Sequence, residues 1–286
     1  MKDENQKKEI KTKLKTDCIL IDEIQDVSTT TLKVLMEILE DPREENSLFF
    51  TGDLRQKSKI SWIKFSQLGL DFRNKSFTLK QNYRNTKEIL EAAEKIVEKV
   101  NIETEDELDI VNPEFSHFKG IKPVAIDVSK FNGLNHEDII FAIIKLRITI
   151  INNILIICEN DDLRNNLENK LKEANIGYKK LQPNIREFSY QDTGEEGIKV
   201  FITPDMKTVK GREFDSVIIT DLTKGKYEFK ENEEKENTEK ATFLYIAMTR
   251  ARDELIFTYE KEPSNFLEYI KDKIFFIPSK EEKEQL

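Results

Sequence analysis

The chain has 286 residues, of which 35% are charged and 38% hydrophobic, and its formal net charge at pH 7 is −9. The hydrophobic fraction excludes an intrinsically disordered chain, and the length allows one large or two modest domains with their own cores. The negative charge excludes a generally basic nucleic-acid-binding surface, although a local basic or aromatic track remains compatible with it.

The sequence favours a cytoplasmic protein. No apolar segment near residue 1 has the form of a secretory signal. The most apolar region, residues 141–158, contains charged residues and an Asn-Asn pair, so we expect two buried elements there and no membrane-spanning helix. Cys18 and Cys158 both lie in apolar runs, and we expect them to be reduced core residues.

The first predicted strand leads directly into a cluster of carboxylates. Residues 18–26 read Cys-Ile-Leu-Ile-Asp-Glu-Ile-Gln-Asp, and such an apolar run indicates a strand buried on both faces of a parallel sheet. Ligands of these sheets lie outside the carboxyl ends of the strands, where Asp22 and Glu23 would project. An Asp there can hold Mg²⁺ through water, and an adjacent Glu can polarise a water aimed at a γ-phosphate. A plain acidic surface turn is the alternative.

Strands and helices alternate along the rest of the chain, which predicts parallel α/β layers. Ser28 is a suitable N-cap for a helix that ends near Asp41-Pro42, and Asn85 is a suitable N-cap for a second amphipathic helix. The other predicted strands cover residues 47–50, 78–82, 123–128, 153–158, 199–203 and 216–220, with a closing strand at 255–259. The other predicted helices cover residues 135–150, 161–174 and about 238–251.

Four further stretches carry motifs. They read Thr-Gly-Asp-Leu-Arg-Gln at 51–56, Leu-Lys-Gln-Asn-Tyr-Arg-Asn-Thr at 79–86, Lys-Gly-Arg-Glu-Phe-Asp at 210–215 and Leu-Tyr-Ile-Ala-Met-Thr-Arg-Ala-Arg at 244–252. Together with the Asp-Glu pair, and in this order, they resemble motifs II, III, IV, V and VI of the UvrD/Rep-like superfamily 1 DNA helicases. The resemblance extends from about residue 17 to about residue 259. It implies a RecA-like P-loop NTPase fold, with parallel sheets flanked by helices, and an ATP-dependent DNA helicase.

The resemblance also implies ATP and Mg²⁺ as cofactors. In the part before residue 78, Asp22 would hold Mg²⁺, Glu23 would position the attacking water, and Gln56 would sense the γ-phosphate. A neutral amide suits the role of Gln56, because it can donate to a phosphate oxygen and accept from water.

Four more residues would contact the nucleotide in the part after residue 77. The resemblance places Tyr83 against the adenine ring, Glu213 on the ribose, and Arg84 and Arg250 on the γ-phosphate, with Arg250 as the arginine finger. An arginine suits this role because its planar fork stays charged and matches phosphate oxygens.

Contacts to single-stranded DNA are implied at two places. Trp62 stands near the family's base-stacking aromatics, with core packing as the alternative, and Thr203 stands near the start of motif V. The flanks differ from the family, because Ile-Lys-Phe at 63–65 replaces the usual Arg-Gly-Ala. Thr-Pro-Asp-Met-Lys at 203–207 likewise replaces the usual Thr-x-His.

None of the nine glycines lies in the Gly-Lys-Thr/Ser sequence of a P-loop, so we expect this chain to be a very poor ATPase alone. We expect a truncated first lobe at 1–77 and a second lobe at 78–286, with no large accessory insertion. The chain would be a C-terminal fragment, half of a split gene whose P-loop-bearing partner completes the first lobe, or a repacked remnant. The alternative function is a non-catalytic module that binds DNA or a protein partner.

Overall fold

The computed structural model describes residues 13–39, 47–52, 75, 77, 79, 81–99, 118–181 and 199–278. The chain divides into two compact units, which are residues 1–79 with 102–112 and residues 80–101 with 113–286. Compactness alone does not identify a lobe of a motor protein, so the predicted lobe boundary at residue 77 stays a prediction.

In the first unit, β1 (Ile19–Ile21) and β2 (Leu48–Phe50) pair in parallel, and α1 (Thr29–Ile38) connects them. Ser28 is the N-cap of α1, as predicted, because its side chain accepts a hydrogen bond from the Thr31 amide at 3.0 Å. One face of the two strands packs on α1 around the fully buried Leu32.

On the other face of this pair of strands, two large apolar side chains are exposed. Leu20 and Phe49 lie directly opposite each other in the β1–β2 register, and they are 73% and 57% exposed. Parallel sheets normally have both faces covered, because parallel connections place helices on the faces. The prediction that β1 is buried on both faces is therefore wrong, because the face that carries Leu20 is exposed.

The second unit contains a parallel sheet of seven strands within the described residues, in the order β5-β6-β4-β7-β8-β3-β9. The strands are β3 (Val124–Asp127), β4 (Ile154–Ile157), β5 (Tyr178–Lys180), β6 (Val200–Thr203), β7 (Phe214–Ile219), β8 (Ala251–Tyr259) and β9 (Phe275–Ile277). The helices are α2 (Lys87–Glu98), α3 (His136–Arg147), α4 (Asp161–Glu173), α5 (Glu234–Met248) and α6 (Asn265–Tyr269). The predicted α/β class, a parallel sheet flanked by helices, is confirmed.

Alternation along β4 shows how the sheet is covered. Ile154 and Ile156 belong to the core cluster formed with α3 and α4, so the intervening Leu155 and Ile157 face the opposite side. All four are buried, as the uninterrupted apolar run predicts. On the opposite side of the sheet α2 packs against α5.

The end of the chain differs from the prediction. The strand predicted to close the fold is β8, which lies inside the sheet between β7 and β3, and α6 and the edge strand β9 follow it. Both β9 and the missed β5 have three residues, which is too short for an alternating pattern to be recognised.

No helix among the described residues is long and apolar enough to cross a membrane. Cys158 is buried, as predicted, and this burial raises the pKa of its thiol. The prediction that Cys18 is a core residue is wrong, because the side chain is exposed just before β1 begins.

His136 gives the second unit a stability that should depend on pH. Its side chain is 7% exposed at the start of α3, and its Nε2 lies 2.6 Å from the Thr258 hydroxyl oxygen. Burial lowers the pKa of this imidazole from its ordinary value of 6.5, against the opposing effect of Asp221 and Glu260. When pH falls through that ordinary value, the unfolded chain takes up a proton that the folded chain does not, so acidification favours unfolding.

We therefore expect His136→Gln to reduce the loss of thermal stability between about pH 7.5 and about pH 5.5. The measurement is the unfolding midpoint of both proteins across this range. The carboxylates and His117, which lies outside the described residues, are present in both chains, so the difference isolates His136. Parallel pH curves for the two proteins would contradict this expectation.

Candidate nucleotide site

The amino-terminal ends of β7 and β8 bring motif V and motif VI together. Phe214 pairs with Ala251 in the register of these strands, and the Phe214 amide donates a hydrogen bond to the Arg250 carbonyl at 2.9 Å. Glu213 and Arg250 each precede one of these paired residues, so the sheet itself fixes their backbones side by side. This edge is opposite to the carboxyl-terminal edge, where ligands of parallel sheets usually bind.

A tight turn delivers Glu213 to this edge. A short 3₁₀ turn at Lys207–Val209 is followed by Gly211, whose φ of +76° lies in the left-handed region that glycine tolerates without steric cost. The chain then enters β7 at Phe214. The geometry of this turn therefore depends on a residue without a Cβ atom.

Arg84 and Glu213 are in direct contact, although 129 residues separate them. The Arg84 Nε donates to the Glu213 Oε1 at 2.5 Å, and the two side chains are 41% and 34% exposed. Tyr83, the preceding residue, is 72% exposed, and its hydroxyl donates to the side chain of Gln81. Three of the residues implied as nucleotide contacts thus belong to one exposed area of the second unit.

Arg250 is only 2% exposed and does not project from a rim. Its Nε donates to the Ile246 carbonyl at 3.0 Å, and its two terminal nitrogens donate to the Arg212 carbonyl and the Thr249 hydroxyl, each at 3.3 Å. In this arrangement the guanidinium joins the end of α5 to the turn that carries Glu213. It would have to leave these oxygens to reach a phosphate.

The prediction that Asn85 caps α2 is wrong. Thr86 is the N-cap residue, and the Asn85 side chain instead donates to the carbonyls of Thr249 and Ala251. Cap residues and long-range hydrogen-bond donors are the same residue types, so the local sequence alone did not distinguish the two roles.

Asn82 is a site residue that the sequence analysis missed. Its side-chain oxygen accepts from the Arg84 amide at 2.7 Å and from the Asn85 amide at 3.0 Å. An Asn that accepts from backbone amides two and three residues later forms a local turn of a common kind. The Asn-x-x-Asn spacing was the signal that could have revealed it.

In the first unit, Asp22 and Glu23 follow the carboxyl end of β1, as expected. The Asp22 carboxylate accepts from the Glu23 amide at 3.0 Å and from the hydroxyl of Thr51, which follows β2. Glu23 has a φ of 53°, and its carboxylate accepts from the side-chain amide of Gln25. An exposed carboxylate beside a hydroxyl fits a Mg²⁺ ion held largely through water, whereas no cluster of three metal-ligating side chains occurs in the described ranges.

Three further residues were predicted to contribute to the nucleotide or DNA contacts. Gln56 and Trp62 lie outside the described residues. Thr203 is fully buried at the end of β6, and its hydroxyl donates to the Asp205 carbonyl at 3.2 Å. The hydroxyl is thus turned into the fold, and the DNA contact implied there stays a prediction.

Several solved structures resemble the chain loosely. The C-terminal domain of a possible DNA helicase from Lactobacillus plantarum WCFS1 aligns over 68% of this chain and 98% of that chain, with 19% identity and a TM-score of 0.42. S. cerevisiae Dbp5 bound to RNA and ADP BeF3 aligns over 92% of this chain and 60% of that chain, with 14% identity and a TM-score of 0.46.

Sequence comparison is more specific. No curated protein matches the chain. The family model of the UvrD-like helicase C-terminal domain matches residues 191–262, which include motifs V and VI with Glu213 and Arg250. The resemblance predicted from the motifs is thus confirmed over this stretch, where the chain is similar to the UvrD-like helicase C-terminal domain.

Proposed function

We propose that the chain is the C-terminal portion of an ATP-dependent helicase that moves on single-stranded DNA in the cytoplasm. The observation that supports this most is the contact between Arg84 of motif IV and Glu213 of motif V, beside the turn that bears Arg250. An ion pair joins two distant motifs, and the backbone of a third motif lies at the same edge of the sheet. A chain that does not use these motifs at a site would not require their side chains to lie together.

The chemistry of the exposed area suits a nucleoside triphosphate. Arg84 offers a guanidinium for the γ-phosphate, and Tyr83 offers an exposed ring on which adenine can stack. Glu213 offers carboxylate oxygens that can accept from the ribose hydroxyls. Because Arg84 and Glu213 bind each other here, a nucleotide would have to replace their ion pair, which both residues can release at low cost in their partly exposed setting.

In the first unit, Asp22 would bind Mg²⁺ and Glu23 would position the attacking water, with Gln56 reporting the state of the phosphate. The ion would supply charge neutralisation between the phosphates. The arginines would stabilise the charge that develops during phosphoryl transfer, and Trp62 and Thr203 would serve the DNA strand.

The exposed apolar face of the first unit supports the proposal that a further polypeptide completes this unit. Leu20 and Phe49 form an apolar pair on two short parallel strands, and two such strands are at most marginally stable in water. Further parallel strands and a covering helix would bury this face, and a P-loop would follow such a strand. We propose that a P-loop-bearing segment or chain supplies them.

The second candidate function is a non-catalytic module that binds DNA or a protein partner. Two observations favour this second function. The Arg250 guanidinium is bound to backbone oxygens, and the sequence contains no Gly-Lys-Thr/Ser motif. ATP hydrolysis by the chain with the completing polypeptide and single-stranded DNA decides between the two candidates. The coding sequence immediately upstream is the first source of that polypeptide to test.

Arg84→Ala should lower the turnover number of the completed assembly by about 10²-fold or more, because a phosphate-contacting arginine is lost. Arg147→Ala is a matched control, since Arg147 also forms an ion pair, with Glu254 at 3.0 Å, and is similarly exposed. Steady-state ATPase rates with single-stranded DNA would show the difference. Equal rates for the two variants would remove Arg84 from the proposed site.

Glu23→Gln should abolish hydrolysis by the same assembly while leaving nucleotide binding intact, because the amide cannot activate water but retains the shape of the side chain. Glu37→Gln on the exposed surface of α1 changes the net charge equally and serves as the control. ATPase rates and binding of a fluorescent ATP analogue are both measured. Turnover by Glu23→Gln within a few-fold of the unmodified protein would refute the assignment.

A further inference from the structure

We infer that Asn85 is a positioning residue that locks the backbone of Arg84 to the backbone of Arg250. The hydrogen bonds from its side chain cross 164 and 166 residues of sequence, from motif IV to motif VI. The inference concerns how the two arginines are held relative to each other.

The geometry is that of a clamp around Arg250. The Asn85 Nδ2 donates to the Thr249 carbonyl at 2.9 Å and to the Ala251 carbonyl at 2.6 Å, which are the carbonyls on either side of Arg250. A side-chain amide nitrogen carries two hydrogens, so one group satisfies both acceptors. The reverse orientation of the amide would place its oxygen against two carbonyl oxygens, and this fixes the assignment.

The remaining atoms of the clamp are also bonded. Asn85 is 1% exposed, and its side-chain oxygen accepts from the Asn82 side-chain amide at 3.1 Å. Asn82 in turn accepts from the Arg84 amide. One residue further on, the Thr86 amide donates to the Arg252 carbonyl at 3.1 Å. Three carbonyls close to Arg250 in the chain are therefore tied to the two successive residues that follow Arg84.

This arrangement explains why an amide is present at the position. A carboxylate would repel both carbonyls, and alanine would leave two buried acceptors without donors. With the clamp in place, hydrogen bonds from the buried Asn85 amide hold the backbone of Arg84 at a fixed separation from the backbone of Arg250. A role of this fixed separation in phosphate binding rests on the proposed function.

Nuclear magnetic resonance of the chain without nucleotide tests the clamp itself, so its outcome is independent of whether the proposed function is correct. The signals of the arginine Nε–Hε groups are recorded for the unmodified chain and for Asn85→Ala. We expect the Nε–Hε signals of both Arg250 and Arg84 to shift. We also expect their Hε hydrogens to exchange with water roughly tenfold faster, because the loss of about one net hydrogen bond corresponds to about this factor. Asn160→Ala is the control, because Asn160 caps α4 and its loss is destabilising without touching the clamp.

Unchanged Arg250 signals in folded Asn85→Ala, or equal changes in Asn160→Ala, would overturn the inference. If Asn85→Ala does not fold, the unmodified chain provides the test through exchange of side-chain amide hydrogens. Those of Asn85 should exchange at least about tenfold more slowly than those of Asn152, which is exposed. Equal exchange rates for these two side chains would equally overturn it.

Discussion

The pairing of β7 with β8 is the constraint on which the site depends. Both strands lie inside the sheet, and Val217 and Phe257 on them are fully buried. A slip of one residue would exchange the two faces of a strand, and the close-packed cores on either side would then have to accept side chains of different shape. The register of this pairing places Phe214 beside Ala251 and therefore fixes the residues that enter the two strands.

The two units use opposite ends of their strands. Asp22 follows its strand, whereas Glu213 and Arg250 precede theirs. The six residues of β7 span about 20 Å at about 3.3 Å per residue, so groups beyond its two ends are too far apart to contact one ligand. Hydrogen bonds from Asn85 and Thr86 tie the start of α2 to the start of β8, at the edge of the sheet where Glu213 and Arg250 lie.

The sequence was informative where local patterns decide the structure. The apolar run of β4 and the cap at Ser28 were predicted because burial on both faces and capping leave direct signals. The roles of Asn85 and Arg250 were not accessible in the same way, since their partners are chosen by tertiary contacts. The resemblance to a helicase motif drew attention to Arg250, but only the packing of α5 against the motif V turn determines that its charge is buried. The sequence therefore predicts which residues lie close together better than it predicts the hydrogen bonds that their atoms form.

The energetics of the first unit connect its fold to its proposed partner. Burying one Leu or Phe side chain contributes about 1.5–3 kcal/mol, so covering both Leu20 and Phe49 would contribute about 3–6 kcal/mol. Small domains have a total stability of about 5–15 kcal/mol, and a gain of this size would be a large part of it. A chain that covers this face would thus stabilise the strand whose end carries Asp22 and Glu23 at the moment when it supplies a P-loop. Assembly of the catalytic groups and folding of the first unit would then be one event, and hydrolysis would be limited to the complete assembly.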